Sequence, residues 1–209
     1  MAKHGGRFED PRVRHDPFFK KARAEGYAAR SVYKLDEIDG RVRLLKPGLR
    51  VLDLGCCPGS WMQYAVSVVG ARGAVVGIDR NPLPRAVAGT RALVGDIFAV
   101  TDAELLGELA AFDVVLSDMA PDTTGVRAVD QARSANLFDE ALDRAERLLA
   151  PGGAFVGKLF QGPDFEVLRK RLMRNFASVK VVKPSSSRAQ SFEIFLVSQG
   201  FVAGAPAAR

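Results

Sequence analysis

Beyond about residue 48, short apolar and β-branched runs alternate with longer stretches whose apolar positions recur at helical spacing. Leu49–Leu54 (LRVLDL) reads as a strand, followed by a Gly/Pro turn and a helix over Ser60–Val69. Gly73–Ile78 reads as a second strand with Asp79 at its end, and Arg91–Val94 as a short third strand running out to Asp96. A helix over Asp102–Ala110 leads into a fourth strand, Phe112–Ser117. Over Arg127–Leu149 the residues Leu137, Phe138, Ala141, Leu142, Ala145, Leu148 and Leu149 share one helical face, and Pro151-Gly152-Gly153 is read as ending that helix. Ala154–Phe160 is a fifth strand and Phe165–Phe176 another helix. Val179–Val182 and Phe192–Val197 are two final strands joined by a Ser-rich loop. Two helices, Phe18–Glu25 and Ser31–Leu45, precede the first strand. Strands alternating with helices of this length imply an α/β fold of the Rossmann-like kind. Its seven-stranded sheet is mostly parallel and covered by helices on both faces. No helix separates the last two strands, so the last is expected antiparallel.

The segment Val51–Trp61, VLDLGCCPGSW, joins a strand to a helix through a Gly-rich turn, the arrangement of a nucleotide-binding hairpin. Gly55 and Gly59 supply the tight turn and close backbone approach, while Pro58 breaks any G-x-G-x-x-G dinucleotide fingerprint. Asp79 lies 20 residues past Gly59, where a carboxylate accepts ribose hydroxyls. Asp53, Asp79 and Asp96 fall at three successive strand ends, with Asp96 placed to face an adenine. An acid-lined site suits an adenosine ligand without pyrophosphate, and S-adenosylmethionine is such a ligand. Trp61 is the only tryptophan, and both packing on the ligand and core filling are open to it.

Composition narrows the class. With 209 residues, 47% hydrophobic and 26% charged, the chain reads as one globular domain. No run reaches the roughly 18–20 apolar residues of a membrane span. The N-terminal residues lack the apolar core of a secretory signal. Cys56 and Cys57 are adjacent and match no zinc spacing, so a reduced, cytoplasmic, metal-free protein is expected. Net charge is +6 and unevenly spread: +6 over residues 1–50, −5 over 51–163 and +5 over 164–190. Arg7, Arg12, Arg14, Lys20, Lys21, Arg23 and Arg30 come early, and Arg169, Lys170, Arg171, Arg174, Lys180, Lys183 and Arg188 late. If the two segments meet, they form a basic face suited to a polyanion.

Several motifs in order carry a resemblance: ARSVYKLDEI, LKPGLRVLDLGCCPGSW, LVGDI, VVLSDMAPDTTG, LLAPGGAFVGKLFQG and KPSSSRAQSFEIFLV. From about Phe19 to Phe201 the chain resembles the FtsJ/RrmJ family of ribosomal RNA ribose 2′-O-methyltransferases in its bacterial form. The resemblance implies S-adenosylmethionine as cofactor. It implies large-subunit (23S) ribosomal RNA as substrate, modified at a uridine. It also implies a Lys-Asp-Lys-Glu tetrad, which falls on Lys34, Asp118, Lys158 and Glu193. The family's cofactor contacts fall on Gly59, Trp61, Asp79, Asp96 and Asp118. A basic segment over 1–30, a methyltransferase domain over 31–201 and a tail over 202–209 follow, with a monomer expected. The chain departs from the family where Cys56 and Cys57 replace small residues, where Asp122 stands in place of a frequent Asn, and where Gln190 and Phe192 stand in place of arginines.

The residues themselves point the same way. Lys158 in AFVGKLF and Glu193 in SFEIFLV are charges in apolar strands, costly unless paired. A structural ion pair explains such charges equally well, and Lys34 read alone is an ordinary helix lysine. If Lys158 is the base, its pKa must fall far below the usual value near ~10.4. Two other readings compete with RNA methylation. A small-molecule methyltransferase needs no basic flanks, and a nonenzymatic ribosome-assembly factor needs no intact cofactor loop.

Overall fold

The computed structural model describes residues 16–188 and 191–202. The early arginines Arg7, Arg12 and Arg14, Gln190, and the tail from 203 lie outside the described residues. Helix α1 is Pro17–Ala24 and α2 is Val32–Val42. Strand β1 (Arg50–Leu54) leads to α3 (Ser60–Val69), then β2 (Ala74–Asp79) and β3 (Thr90–Val94). Helix α4 (Asp102–Leu106), β4 (Phe112–Ser117) and α5 (Arg127–Leu148) follow. The chain closes with β5 (Leu149–Phe160), α6 (Phe165–Asn175), β6 (Phe176–Val182) and β7 (Glu193–Phe201).

The seven strands form one sheet in the order β3-β2-β1-β4-β5-β7-β6. β7 runs antiparallel to both β5 and β6, and the other pairings are parallel. Alternation along each strand divides the core between two faces. Leu52, Val76, Val115, Phe155 and Leu196 pack under α4, α5 and α6. Val51, Val75, Leu116, Val156 and Phe195 pack under α2 and α3. This division decides which strand side chains meet α2.

Three local readings are corrected. Pro151-Gly152-Gly153 lies inside β5: α5 gives way to strand at Leu149, which pairs with Phe112 before a register shift. Gly152, at φ 80°, lets the chain make that irregular step without breaking the strand. Helix α4 ends at Leu106, where Gly107 takes φ 58° and its N–H caps Ala103. β6 begins at Phe176, immediately after α6, because Phe176 is buried against Phe201 of β7 rather than continuing the helix. Among the described residues, no helix is long and apolar enough to cross a membrane.

Candidate active site

β1 and β4 are neighbours from which the strand order proceeds in opposite directions. Their carboxyl ends therefore flank the crevice where open α/β sheets bind ligands. Gly55 closes β1 with φ 80°, and a Cβ there would lie 2.4 Å from Met119 Cγ in the loop after β4. Only glycine lets the two loops approach this closely. The Gly55 and Cys56 N–H groups donate to Ile78 O at 2.8 and 3.1 Å, tying the loop to β2. Gly59, at φ 106°, turns the chain into α3.

Between these loops lies a cavity of about 550 Å³, lined in part by Gly55, Pro58, Asp79, Asp118, Met119 and Asp122. That volume suits a small-molecule ligand. The Asp79 carboxylate accepts from Cys57 N at 3.0 Å and from Asn81 N at 2.8 Å. These bonds fix its orientation and leave lone pairs for a ligand. Asp96 and Asp53 already have their own surroundings within the protein. Gly95 and Ile97, rather than Asp96, form part of the wall. Asp96 accepts from Phe98 N at 3.0 Å and pairs with Arg80 at 2.9 Å, and the backbone bond leads in holding its carboxyl below the usual range. Asp53 is enclosed, and neither carboxylate oxygen has a hydrogen-bond partner among the described residues. Burial, with Asp118 and Asp79 nearby, pushes its carboxyl well up.

Trp61 fills the core and is not part of the cavity wall. It is 3% exposed, its ring lies 5.8 Å from that of Phe195, and its indole N–H donates to Ser31 O at 2.8 Å. Ser31 is the N-cap residue of α2, so this bond holds the helix start one turn before Lys34. The Ser31 and Ser60 hydroxyls, 2.8 Å apart, add a second tie between α2 and α3. Of the two roles open to Trp61 from sequence, the described residues show core filling, and its tie to Ser31, 30 residues away, leaves no periodic signal in the sequence.

The tetrad residues come together. Lys158 shares the α2-facing side of β5 with Ala154 and Val156, and Glu193 shares that side of β7 with Phe195 and Val197. Asp118 follows β4 in phase with Val114 and Leu116. Lys158 Nζ lies 2.9 Å from Asp118 Oδ1 and also donates to the Asp118 carbonyl. Lys34 Nζ lies 3.5 Å from the same carboxylate oxygen and 2.8 Å from Glu193 Oε1. Acids and lysines thus alternate in the order Lys158, Asp118, Lys34, Glu193. The Ser187 hydroxyl extends the chain, donating to Glu193 Oε1 at 2.7 Å, and the Phe195 ring lies under Lys34 Nζ at 5.5 Å.

Electrostatics fix the charges of the two central members of this row. Burial pushes the Asp118 carboxyl up, but Lys158 and Lys34 outweigh it and hold the group below the usual carboxylate range. Burial likewise pulls Lys34 down, and Asp118 and Glu193 outweigh that, raising its pKa. Lys34 is therefore a fixed cation.

A family model described as FtsJ-like methyltransferase matches residues 27–201. The chain belongs to the FtsJ-like methyltransferase family. A relative named ribosomal RNA large subunit methyltransferase E, from Syntrophobacter fumaroxidans, is 54% identical over 187 residues, covering 87% of this chain and 93% of its own. A protein of the same name from Sorangium cellulosum is 51% identical, covering 90% and 89%. The crystal structure of a putative ribosomal RNA methyltransferase from Plasmodium falciparum superposes with a TM-score of 0.73 at 27% identity, over 85% of this chain and 100% of that one. A fibrillarin/Nop5p complex, at 18% identity and TM-score 0.60 over 81% and 83%, shares the fold.

In this methyltransferase the two basic segments meet only in part. Arg30 pairs with Asp16, the N-cap of α1, and donates to Ser186 O. Ser185 N and Oγ donate to Glu37 of α2 at 2.7 and 2.9 Å. These bonds bring the stretch carrying Lys183 and Arg188 beside the α1–α2 region. Helix α6 instead packs on the opposite face, with α5. Its Arg171 is held by Asp139 at 2.8 Å and by Asp143 and Glu146, which removes it from any RNA-facing set. Its position in a basic run gave no hint of those three partners.

Proposed function

We propose that this chain is an S-adenosylmethionine-dependent methyltransferase acting on a ribose 2′-hydroxyl of large-subunit ribosomal RNA. The observation that carries the reading is the row Lys158–Asp118–Lys34–Glu193, which meets the acid-lined cavity at Asp118, a member of both. The names of the two bacterial relatives supply the RNA.

The cavity fits the cofactor on its own terms. Gly55, closed against Met119, leaves its backbone on the cavity wall, and Asp79, Asp118 and Asp122 favour a cation over a pyrophosphate. Asp79 would hold ribose hydroxyls, and the Gly55–Pro58 turn would border the ligand. S-adenosylmethionine supplies a methyl group already made electrophilic by its sulfonium, so the protein needs only to align an oxygen and take its proton.

Lys158 is assigned that task and Lys34 is not. Lys34 remains charged between its two carboxylates. Lys158, held to Asp118 by two contacts, steers the acceptor hydroxyl, and once its ammonium has given up a proton to solvent the neutral amine takes the hydroxyl proton as the methyl group is transferred. Glu193, fixed by Ser187, keeps Lys34 in place. Lys158→Arg keeps the charge but provides no proton acceptor. Methyl transfer to undermethylated large subunits should fall by about 100-fold or more, while cofactor affinity by calorimetry stays unchanged. Near-normal turnover in this variant would remove Lys158 from the base role.

A further inference from the structure

Beside the tetrad, at the ends of β5 and β7, lies a small group of π-systems that the methyl-transfer chemistry does not use. Phe192 immediately precedes Glu193. Its ring meets that of Phe160 edge to face, with centroids 4.7 Å apart, and the Arg127 guanidinium lies 5.4 Å from its centroid. Phe160 pairs in register with Glu193 and lies two residues past Lys158. Arg127 opens α5 and is exposed, as is every residue from Asp122 to Val129. Within that stretch Val126 and Val129 are 57% and 39% exposed.

A rim that combines an exposed guanidinium plane, a supporting aromatic ring and apolar side chains has the chemistry of single-stranded nucleobase recognition. Unpaired bases stack on aromatic rings and on arginine planes, whereas a phosphate needs only the charge. The backbone around the stack is also tied in place. Gln161 N donates to Phe192 O at 3.0 Å, Gln131 Nε2 to Gln161 O at 2.6 Å, and Phe160 N to Ser134 Oγ at 2.9 Å. These bonds lock the ends of β5 and β7 to α5, so the platform is preorganised.

We infer that Phe160, Phe192 and Arg127 form a stacking platform for an unpaired base of the RNA strand that carries the acceptor ribose. The base extends the stack on the outer face of Arg127. This rests on the ribose methylation proposed above, since the platform acts by presenting that strand to Lys158. Phe192 and Phe160 are positioning residues beneath Arg127.

The test compares RNA affinity and its salt dependence for wild type, Phe192→Ala, Phe192→Leu, Phe192→Trp and Arg127→Lys. The probes are undermethylated large subunits and the naked RNA extracted from them. Phe192→Ala should weaken binding to both probes about tenfold, with the slope of log affinity against log salt unchanged. Phe192→Trp should restore affinity, while Phe192→Leu and Arg127→Lys should not. Equal melting temperatures and cofactor affinities across the set exclude a folding defect. Should Phe192→Leu rescue, the ring is a packing element and the platform is overturned. The same holds if Arg127→Lys rescues or if Phe192→Ala lowers the slope by about one, because the contact is then to a phosphate. A defect on particles that is absent on naked RNA would assign the rim to a ribosomal protein and also overturn it. Methylation by wild type, run alongside, separates the two layers: no label in RNA defeats the ribose reading, whereas label in RNA with unchanged variant affinities defeats the platform alone.

Discussion

At the scale of single residues, Asp53 bears the clearest electrostatic cost. It sits on β1 among Val51, Leu52 and Leu54, with both carboxylate oxygens buried and unbonded among the described residues. Its unfolded form titrates near the ordinary value of about 3.9. Its folded form holds the proton to much higher pH. Stability from this group is therefore present in acid and is lost as pH rises above the unfolded pKa, until the folded pKa is passed. Asp53→Asn should leave the melting temperature of the ligand-free protein unchanged near pH ~4. It should raise it by several degrees near pH ~8, corresponding to about 1–3 kcal/mol. Equal melting temperatures at both pH values would contradict this. Asp118 has the opposite sign: its ion pairs persist above the unfolded carboxylate range and are lost only as pH falls through its depressed folded value. Residue identity was readable where a charge broke an apolar pattern, as with Lys158 and Glu193. The surroundings of Asp53 and Asp96 are not legible in the same way, since a strand-end carboxylate looks alike in sequence whether it is enclosed without a partner or bonded to an arginine.

At the scale of elements, strand alternation gave the sheet, and the Gly-rich turn with the strand-end Asp79 pointed to the crevice where the cavity lies. The helix surfaces were less legible. Helix α6 carries Arg169, Lys170, Arg171 and Arg174, yet its position is fixed by Arg171 docking into carboxylates spaced along α5. Removing that guanidinium leaves Asp139, Asp143 and Glu146 facing one another, and burial together with Asp143 and Glu146 already presses the Asp139 carboxyl upward against the pull of Arg171. Arg171→Ala should cost about 2 kcal/mol in urea unfolding, below the loss expected for a fully buried pair. RNA affinity should be unaffected. A variant of full stability with weakened RNA binding would return Arg171 to the RNA face. Trp61 shows the same lesson: its indole N–H ties α3 to the start of α2, and only the folded chain shows that the helix bearing Lys34 depends on the helix after the cofactor loop.

At the scale of the whole molecule, the acidic centre holds the cavity, and part of the basic flank gathers beside α1 and α2. Lys20, Lys21 and Arg23 are exposed on α1, and Lys180, Lys183 and Arg188 are exposed in the late segment. Phosphate contacts from such a surface release counterions, so log affinity for ribosomal RNA should fall linearly with log salt, by roughly 0.7–0.9 per contact. A flat response would remove the electrostatic account of RNA binding. The central claim concerns where the methyl group goes. The decisive measurement incubates the protein with methyl-labelled S-adenosylmethionine and undermethylated large ribosomal subunits, then digests the recovered RNA with alkali. A 2′-O-methyl group blocks cleavage of the adjoining phosphodiester. The account therefore predicts label in alkali-stable dinucleotides, abolished by Lys158→Arg; label in mononucleotides or on protein would contradict it.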